Sequence, residues 1–167
     1  MIDRYEGPLF RALNPIHAHE PLSGRGAEFY GGRFNPKGTP ALYTSLSVMT
    51  ALREANQVGS LQPTTLVSYD AEIEHIFDSR DAGRLSADGI DPVTLADPSW
   101  RDQMKLNGEA QTQRFARSLI AAGHHGLLVR SFAPGATDTH LNLVLWRWGD
   151  HPPHRLTLID DEKRLSR

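Results

Sequence analysis

Apolar residues recur along the chain with both helical and strand periods, which together predict an α+β fold. After Ser47, a residue type that caps helices, apolar residues fall at i, i+3, i+4 and i+7. Residues 111–122 repeat that spacing and stop at Gly123, so they predict a second helix. Runs that are dense in β-branched, aromatic or continuously apolar residues predict strands. The predicted strands are residues 9–13, 41–44, 64–73, 126–132 and 141–148.

The helix after Ser47 carries the first candidate functional residue. Its predicted buried face consists of Val48, Ala51, Leu52 and Ala55. At about 100° per residue, Glu54 falls at the border of that face and is expected to look partly into the protein. A solvated border glutamate is the alternative interpretation. The helix is expected to end near Gly59.

The remaining hydrophobic pattern indicates the balance of helix and strand, the order of the sheet and the number of domains. Residues 78–108 are polar and interrupted by proline and glycine, which predicts a long irregular segment with one or two helical turns. The inventory therefore contains more strand than helix. The strand at 141–148 is apolar on both faces, so we expect it to be central in the sheet. No repeat or linker composition divides the chain, and residues 1–167 are expected to form a single domain.

Composition narrows the chemistry. Lys and Arg total 18 against 20 for Asp and Glu, a formal charge of -2, which argues against direct nucleic-acid binding. The chain has no cysteine, which excludes disulfides and thiolate nucleophiles and fits a reducing compartment. No uncharged apolar run approaches the roughly 18 residues of a membrane helix. We therefore expect a cytoplasmic protein that does not contact a membrane.

The stretch GGRFNPKGTPALYTS, residues 31–45, is the most unusual part of the sequence. Gly31 and Gly32 allow a sharp turn and a close approach of the backbone to a ligand. Arg33 follows them with a planar guanidinium that suits a diphosphate or a carboxylate. The alternative interpretation is an ordinary glycine turn followed by an exposed arginine.

These residues resemble the signature of RES-domain toxins, in which a glycine-rich turn carries G-x-R-[WF]-N-x-x-G, a Y-T-S follows, and a short helix carries a glutamate. The matching positions are Arg33, Phe34, Asn35, Gly38, Tyr43, Thr44, Ser45 and Glu54. Further matches are Arg11, PLSGRG at residues 21–26, Ser131 and Asn142. The chain departs from the commoner pattern at Phe34, where most members have Trp. The resemblance extends from Arg11 to about Trp146.

The resemblance implies an ADP-ribosyltransferase-like fold, with a split β-sheet and short flanking helices around an NAD-binding cleft. It implies that NAD is consumed as a substrate: the nicotinamide–ribose bond is cleaved and ADP-ribose passes to a protein side chain, to phosphate or to water. It also implies a toxin–antitoxin pair that arrests growth, in which an Xre-like helix-turn-helix antitoxin occludes the active site.

The matched residues suit that reaction. Cleavage passes through an oxocarbenium-like state, which needs negative charge near the ribose and firm anchoring of the dinucleotide. Under the resemblance, Glu54 supplies the charge, Arg33 holds the diphosphate or the nicotinamide-side ribose, and Tyr43 faces the nicotinamide ring. The catalytic candidates are Glu54, Arg33 and Tyr43, and the NAD-binding candidates are Arg11, Arg33, Tyr43, Ser45, Ser131 and Asn142. Ordinary structural roles remain open for Tyr43, Ser131 and Asn142.

Two other interpretations of the sequence are a metal site and a non-catalytic binding module. Histidine pairs at positions 17 and 19, 124 and 125, and 151 and 154 match no metal-ligand spacing, so no metal is expected. The alternative function is a non-catalytic module that binds a nucleotide or a protein partner in the same cleft.

Overall fold

The computed structural model describes residues 2–57 and 59–165, which form an α+β fold with a seven-stranded mixed sheet and six α-helices. The strands are β1 (Arg4–Leu13), β2 (Leu42–Ser45), β3 (Thr65–Glu74), β4 (Ile76–Asp78), β5 (Gly126–Arg130), β6 (Leu141–Leu145) and β7 (His154–Leu158). The helices are α1 (Arg25–Tyr30), α2 (Val48–Ala55), α3 (Ala82–Ala87), α4 (Pro92–Ala96), α5 (Trp100–Asn107) and α6 (Gln111–Ala121). A short 3-10 helix covers Pro15–His17.

The sheet consists of two halves with a narrow join. The strand order is β4-β5-β6-β2-β1-β3-β7, and β4 and β5 are its parallel pair. β1 and β3 pair along their whole length, from Arg4 opposite Glu74 to Leu13 opposite Thr65. β1 and β2 instead meet at the single register pair of Phe10 and Ser45. This join is compatible with a split sheet, and it leaves space between the halves.

Each face of the sheet covers its own apolar core, because neighbouring side chains of a strand point to opposite faces. On β5, Leu127 and Val129 belong to a core that includes Phe115 and Leu119 of α6. Leu128 between them belongs to the other core. That second core is built mainly from the sheet itself, with Leu9, Val67, Tyr69, Ala71 and Ile73 of β1 and β3.

The two helices predicted from periodicity are confirmed, with one correction to the buried face of α2. The Ser47 hydroxyl accepts a hydrogen bond from the Thr50 N–H at 3.2 Å, as an N-cap should. Ala51 is buried, but Val48 and Ala55 are exposed and the helix stops before Gly59. The predicted face is too wide because α2 lies against β1 and β2 beside the gap, where the sheet covers only part of it.

The prediction of a mainly irregular segment at residues 78–108 is wrong. It holds α3, α4 and α5, so helices and strands cover similar lengths of the chain and the expected excess of strand is also wrong. The Asp81 and Asp91 carboxylates cap α3 and α4 by accepting N–H groups at 3.1 and 2.7 Å. Leu85, Leu95 and Trp100 anchor one helix each in the core. Each of these helices buries a single residue, so the sequence shows no repeated apolar positions at helical spacing there.

The remaining strands differ from the prediction mainly at their ends. The strand predicted for 141–148 stops at Leu145 and lies between β5 and β2, an interior position as expected. β1 begins at Arg4 rather than at residue 9, and α1 and β7 were not predicted. Within residues 2–57 and 59–165, no helix has the length and apolar character needed to cross a membrane.

Candidate active site

A cleft of about 590 Å³ opens where the two halves of the sheet meet. Its walls come from the C-terminal part of β1, the turn at residues 31–34, β2, α2, the start of α5, the end of β5 with the segment after it, and β6. Its volume falls within the range of roughly 300–1,000 Å³ that is typical of small-molecule sites. The narrow join of the sheet thus places the ends of several elements around one cavity.

Glu54 lies in this cleft with its carboxylate held by three donors. Its Oε1 accepts hydrogen bonds from the Asn142 Nδ2 at 2.7 Å and from the Ser131 hydroxyl. Its Oε2 accepts a hydrogen bond from the Gln57 Nε2 at 2.9 Å. The Ser45 hydroxyl donates to the Asn142 Oδ1 at 2.7 Å, which fixes the orientation of the amide. The carboxylate is therefore oriented by a network that begins in the sheet.

Strand pairing brings this network together. Ser45 at the end of β2 lies directly opposite Asn142 on β6, so both point to the same face of the sheet. Ser131 follows β5, is fully buried, and accepts the Ala133 N–H at 3.2 Å. Two residues separate the end of β2 from the start of α2, and α2 carries Glu54 back towards Ser45 and Asn142.

Arg33 is half-buried and anchored through one nitrogen. Its Nη1 donates to the carbonyls of Leu95 and Asp97 at 3.1 and 2.9 Å, and the guanidinium carbon lies 4.9 Å from the centroid of the Phe132 ring. Burial lowers the pKa of Arg33, while the Glu54 carboxylate opposes that change. Among the described residues, its Nε and Nη2 have no hydrogen-bond partner, so the guanidinium can bind a ligand without losing its anchor.

Tyr43 lines the cleft with its ring, and its hydroxyl supports the glycine turn. The hydroxyl donates to the Asn35 Oδ1 at 2.6 Å and accepts the Phe34 N–H at 2.9 Å. Burial raises the pKa of Tyr43, although the Phe34 N–H and the Arg33 charge act against it. Gly32 faces the same hydroxyl: a Cβ there would lie 2.6 Å from the Asn35 Oδ1 and closer still to Tyr43. Position 32 therefore requires glycine, because the Tyr43 hydroxyl and the Asn35 side chain leave no space for a Cβ atom.

The structure brings the sequence-predicted site residues to one place. Arg11, Arg33, Tyr43, Ser45, Glu54 and Asn142 line the cleft, and Ser131 reaches it through Glu54. Arg11 also has a structural contact, because its Nη1 donates to the Pro21 carbonyl at 2.9 Å.

Several cleft residues were missed by sequence reasoning. Gln57 lies three positions after Glu54, close to one helical turn, so helical spacing could have indicated it. Trp100, Arg101 and Phe132 also line the cavity. Trp100 and Arg101 fall in the segment predicted to be irregular, which gave no signal for their placement.

The cleft is electropositive although the chain carries a formal charge of -2. Four arginines line it, Arg11, Arg33, Arg101 and Arg130, and Glu54 is the one carboxylate among its described lining residues. Arg130 pairs with Asp138 at 2.7 Å, whereas the other three form no ion pair within the described part of the chain. A cavity with this balance suits an anionic ligand.

In the part of the chain that the structure describes, no three histidine, aspartate or glutamate side chains converge in a way that would hold a metal ion. The chemistry available in the cleft is that of one oriented carboxylate among guanidinium, amide, hydroxyl and aromatic groups.

The chain also matches a known protein family. The family described as the RES domain matches residues 8–166, nearly the whole chain. A comparison with curated proteins gives no match.

Proposed function

The chain belongs to the RES-domain family, and from that premise we propose that it is an NAD-consuming enzyme that cleaves the nicotinamide–ribose bond and transfers ADP-ribose to an acceptor. The observation that carries the proposal is the Glu54 carboxylate, held by Asn142 and Ser131 in a cleft whose other charged lining residues, among those described, are arginines. NAD combines the two features that this site complements: a diphosphate, and a glycosidic bond that breaks with development of positive charge.

Glu54 supplies the electrostatic part of the reaction. When the bond between nicotinamide and the ribose C1′ breaks, its electron pair stays with the nicotinamide nitrogen and positive charge develops on the ribose ring. A carboxylate that is already oriented stabilises that charge without having to reorganise. The acceptor then attacks C1′ with a lone pair and loses a proton. Asn142 and Ser131 hold Oε1, whereas Oε2 has only the exposed Gln57 as a partner among the described residues.

Arg33 and Tyr43 bind the substrate in this proposal. The Nε and Nη2 groups of Arg33 face a ligand diphosphate while Nη1 stays on the Leu95 and Asp97 carbonyls. The Tyr43 ring packs against nicotinamide, and its hydroxyl stays with the turn. Arg11 provides a further positive charge on the β1 side of the cleft. Ser45 acts through Asn142 and is a positioning residue.

The wider biological proposal rests on family membership. The protein is the toxin of a toxin–antitoxin pair in the cytoplasm, its fold is ADP-ribosyltransferase-like, and an Xre-like antitoxin blocks the cleft. The narrow join between the sheet halves supports the fold assignment, because it opens the cavity at the place where the site residues meet. The acceptor is a protein side chain, phosphate or water, since these share the bond-breaking step.

Release of nicotinamide from NAD tests the proposal. The purified chain is assayed in phosphate buffer, in phosphate-free buffer and with cell lysate, beside Glu54→Ala and a Glu20→Gln control that changes a glutamate outside the cleft. Release by the parent and the control but not by Glu54→Ala supports NAD cleavage, and its dependence on phosphate or lysate identifies the acceptor class. No release by folded protein under any condition contradicts the proposal and favours a non-catalytic binding module.

A further inference from the structure

We infer that Arg101 is the second diphosphate-binding residue of the cleft, and that with Arg33 it makes the site selective for ligands that carry a diphosphate. The inference rests on the proposed function for the identity of the ligand, and it extends that function to a residue outside the glycine-rich turn and α2. Arg101 lies in the first turn of α5 and its exposed side chain lines the same cavity as Arg33.

The backbone contacts of Arg33 explain how Arg101 comes to the cleft. Arg33 Nη1 bonds the carbonyls of Leu95 and Asp97, at the end of α4 and just beyond it. α5 begins three residues after Asp97. The Arg33 side chain thereby links the glycine turn to the segment that leads into α5, and both arginines line the cavity, where their charges interact.

Neither Arg33 nor Arg101 forms an ion pair within the described part of the chain. Arg101 forms no hydrogen bond or ion pair through its side chain within the described residues, and Arg33 bonds only carbonyls there. Six arginines outside the cleft pair with carboxylates, namely Arg4, Arg80, Arg114, Arg117, Arg155 and Arg164, so pairing is common but not general in this chain. Burial lowers the pKa of Arg33, the Glu54 carboxylate raises it, and the nearby Arg101 charge lowers it, so the two guanidinium groups repel each other. Two cations that repel each other and form no ion pair are stabilised by a ligand with two negative charges.

Packing orients Arg101 before any ligand binds. Its guanidinium carbon lies 4.5 Å from the centroid of the Trp100 ring, and Trp100 is buried in the wall of the cleft. A cation over an aromatic face loses part of its mobility, which reduces the entropy cost of binding a phosphate.

Because Arg33 interacts with both Glu54 and Arg101, we place the diphosphate at the two arginines, the nicotinamide-side ribose at Glu54, and the adenosine on the far side of the diphosphate.

Calorimetric binding of ADP and of adenosine tests the inference without any bond cleavage. We compare the parent protein with Arg101→Gln, Arg101→Lys and the control Arg147→Gln, which changes an exposed arginine outside the cleft. Arg101→Gln should weaken ADP binding about tenfold or more and change adenosine binding by less than about twofold, because only ADP carries the charges that Arg101 contacts. Arg101→Lys should lose less affinity for ADP than Arg101→Gln does. Arg147→Gln should bind both ligands with the affinity of the parent.

Three results would overturn the inference. They are an equal loss of affinity for ADP and adenosine in Arg101→Gln, an affinity for ADP that substitution of Arg101 leaves unchanged, and failure of the parent to bind ADP. Arg101→Lys keeps the charge and the stem, so it preserves the test if the glutamine variant unfolds in a thermal melt. Nicotinamide release is scored separately. If Arg101→Gln loses affinity for ADP alone and the parent releases no nicotinamide, the role of Arg101 is supported and the NAD-cleavage proposal fails. If the parent releases nicotinamide and Arg101→Gln keeps the same KM for NAD, NAD cleavage is supported and the role of Arg101 fails.

Discussion

Asn142 donates a hydrogen bond to Glu54 across 2.7 Å, although the two residues are 88 positions apart in the sequence. The same amide accepts the Ser45 hydroxyl at 2.7 Å, so its nitrogen and not its oxygen faces the carboxylate. β2 and β6 hold Ser45 and Asn142 opposite each other. The orientation of the glutamate on α2 is therefore set by the register of two strands in the sheet.

Asn142→Asp tests this relationship with almost no change of shape. The substitution removes the donor and places a second carboxylate beside Glu54, and two neighbouring carboxylates raise the pKa of one of them. We expect NAD turnover at neutral pH to fall roughly ten- to a hundredfold, with the acid limb of the pH–rate profile moved to higher pH. Ser45→Ala leaves the donor in place and should cost only about threefold. An unshifted profile in Asn142→Asp would contradict the positioning role.

Arg33→Lys separates charge from geometry at the glycine-rich turn. Lysine keeps the positive charge but cannot bond two carbonyls with one end of a planar fork while presenting the other end to a diphosphate. We expect the KM for NAD to rise about tenfold or more, with a smaller fall in kcat. The measurement is steady-state nicotinamide release over a range of NAD concentrations. Kinetics equal to those of the parent would argue against diphosphate anchoring by Arg33.

Features that depend on neighbouring residues could be predicted from the sequence, whereas features that depend on residues far apart in the chain could not. The Ser47 cap and the spacing after it predicted α2, because a helix of eight residues is specified by its own neighbours. The resemblance of residues 31–45 identified Arg33, Tyr43 and Ser45, which the structure places around one cleft. The hydrogen bond from Asn142 to Glu54 depends on strand register, which spacing in the sequence cannot specify.

The residues that were missed lie where local signals are weak. α4 and α5 are short, and each places one main apolar anchor, Leu95 or Trp100, in the core. A single buried anchor does not establish a period of 3.6 residues. Arg101 consequently looked like one charge in a polar segment, and only tertiary packing brings it to the cleft beside Arg33.

Gly32→Ala tests the close approach beneath Tyr43. A Cβ at position 32 would lie 2.6 Å from the Asn35 Oδ1, so the turn must shift or lose the hydrogen bond from the Tyr43 hydroxyl. We expect a loss of about 1–3 kcal/mol in the free energy of unfolding from urea titration, together with weaker NAD binding. Gly26→Ala is the matched control. Gly26 lies in α1 with open space around its Cβ position, so alanine there should be neutral or slightly stabilising. Equal effects of the two substitutions would show that crowding is not the reason for Gly32.

Asp78 gives the fold a predictable response to acid. Its side chain is fully buried at the end of β4, where burial raises the pKa, but hydrogen bonds from Arg80 and from the Ile2 N–H outweigh that effect and lower the pKa to about 2. The pair with Arg80 is bidentate, at 2.9 and 2.7 Å. A pKa that is lower in the folded state stabilises the fold above the unfolded value near 3.8, and this contribution disappears as the pH falls towards 2.

Asp78→Asn should therefore lower the free energy of unfolding by about 2 kcal/mol or more near pH 7, because it removes the charge that Arg80 and the Ile2 N–H stabilise. Urea titrations of the parent and the variant between pH 7 and pH 3 measure the difference, which should shrink by roughly 1 kcal/mol by pH 3. Asp138→Asn removes an exposed ion pair with Arg130 and should change little at either pH. A difference between parent and Asp78→Asn that stays constant down to pH 3 would mean that the Asp78 charge does not contribute to folding.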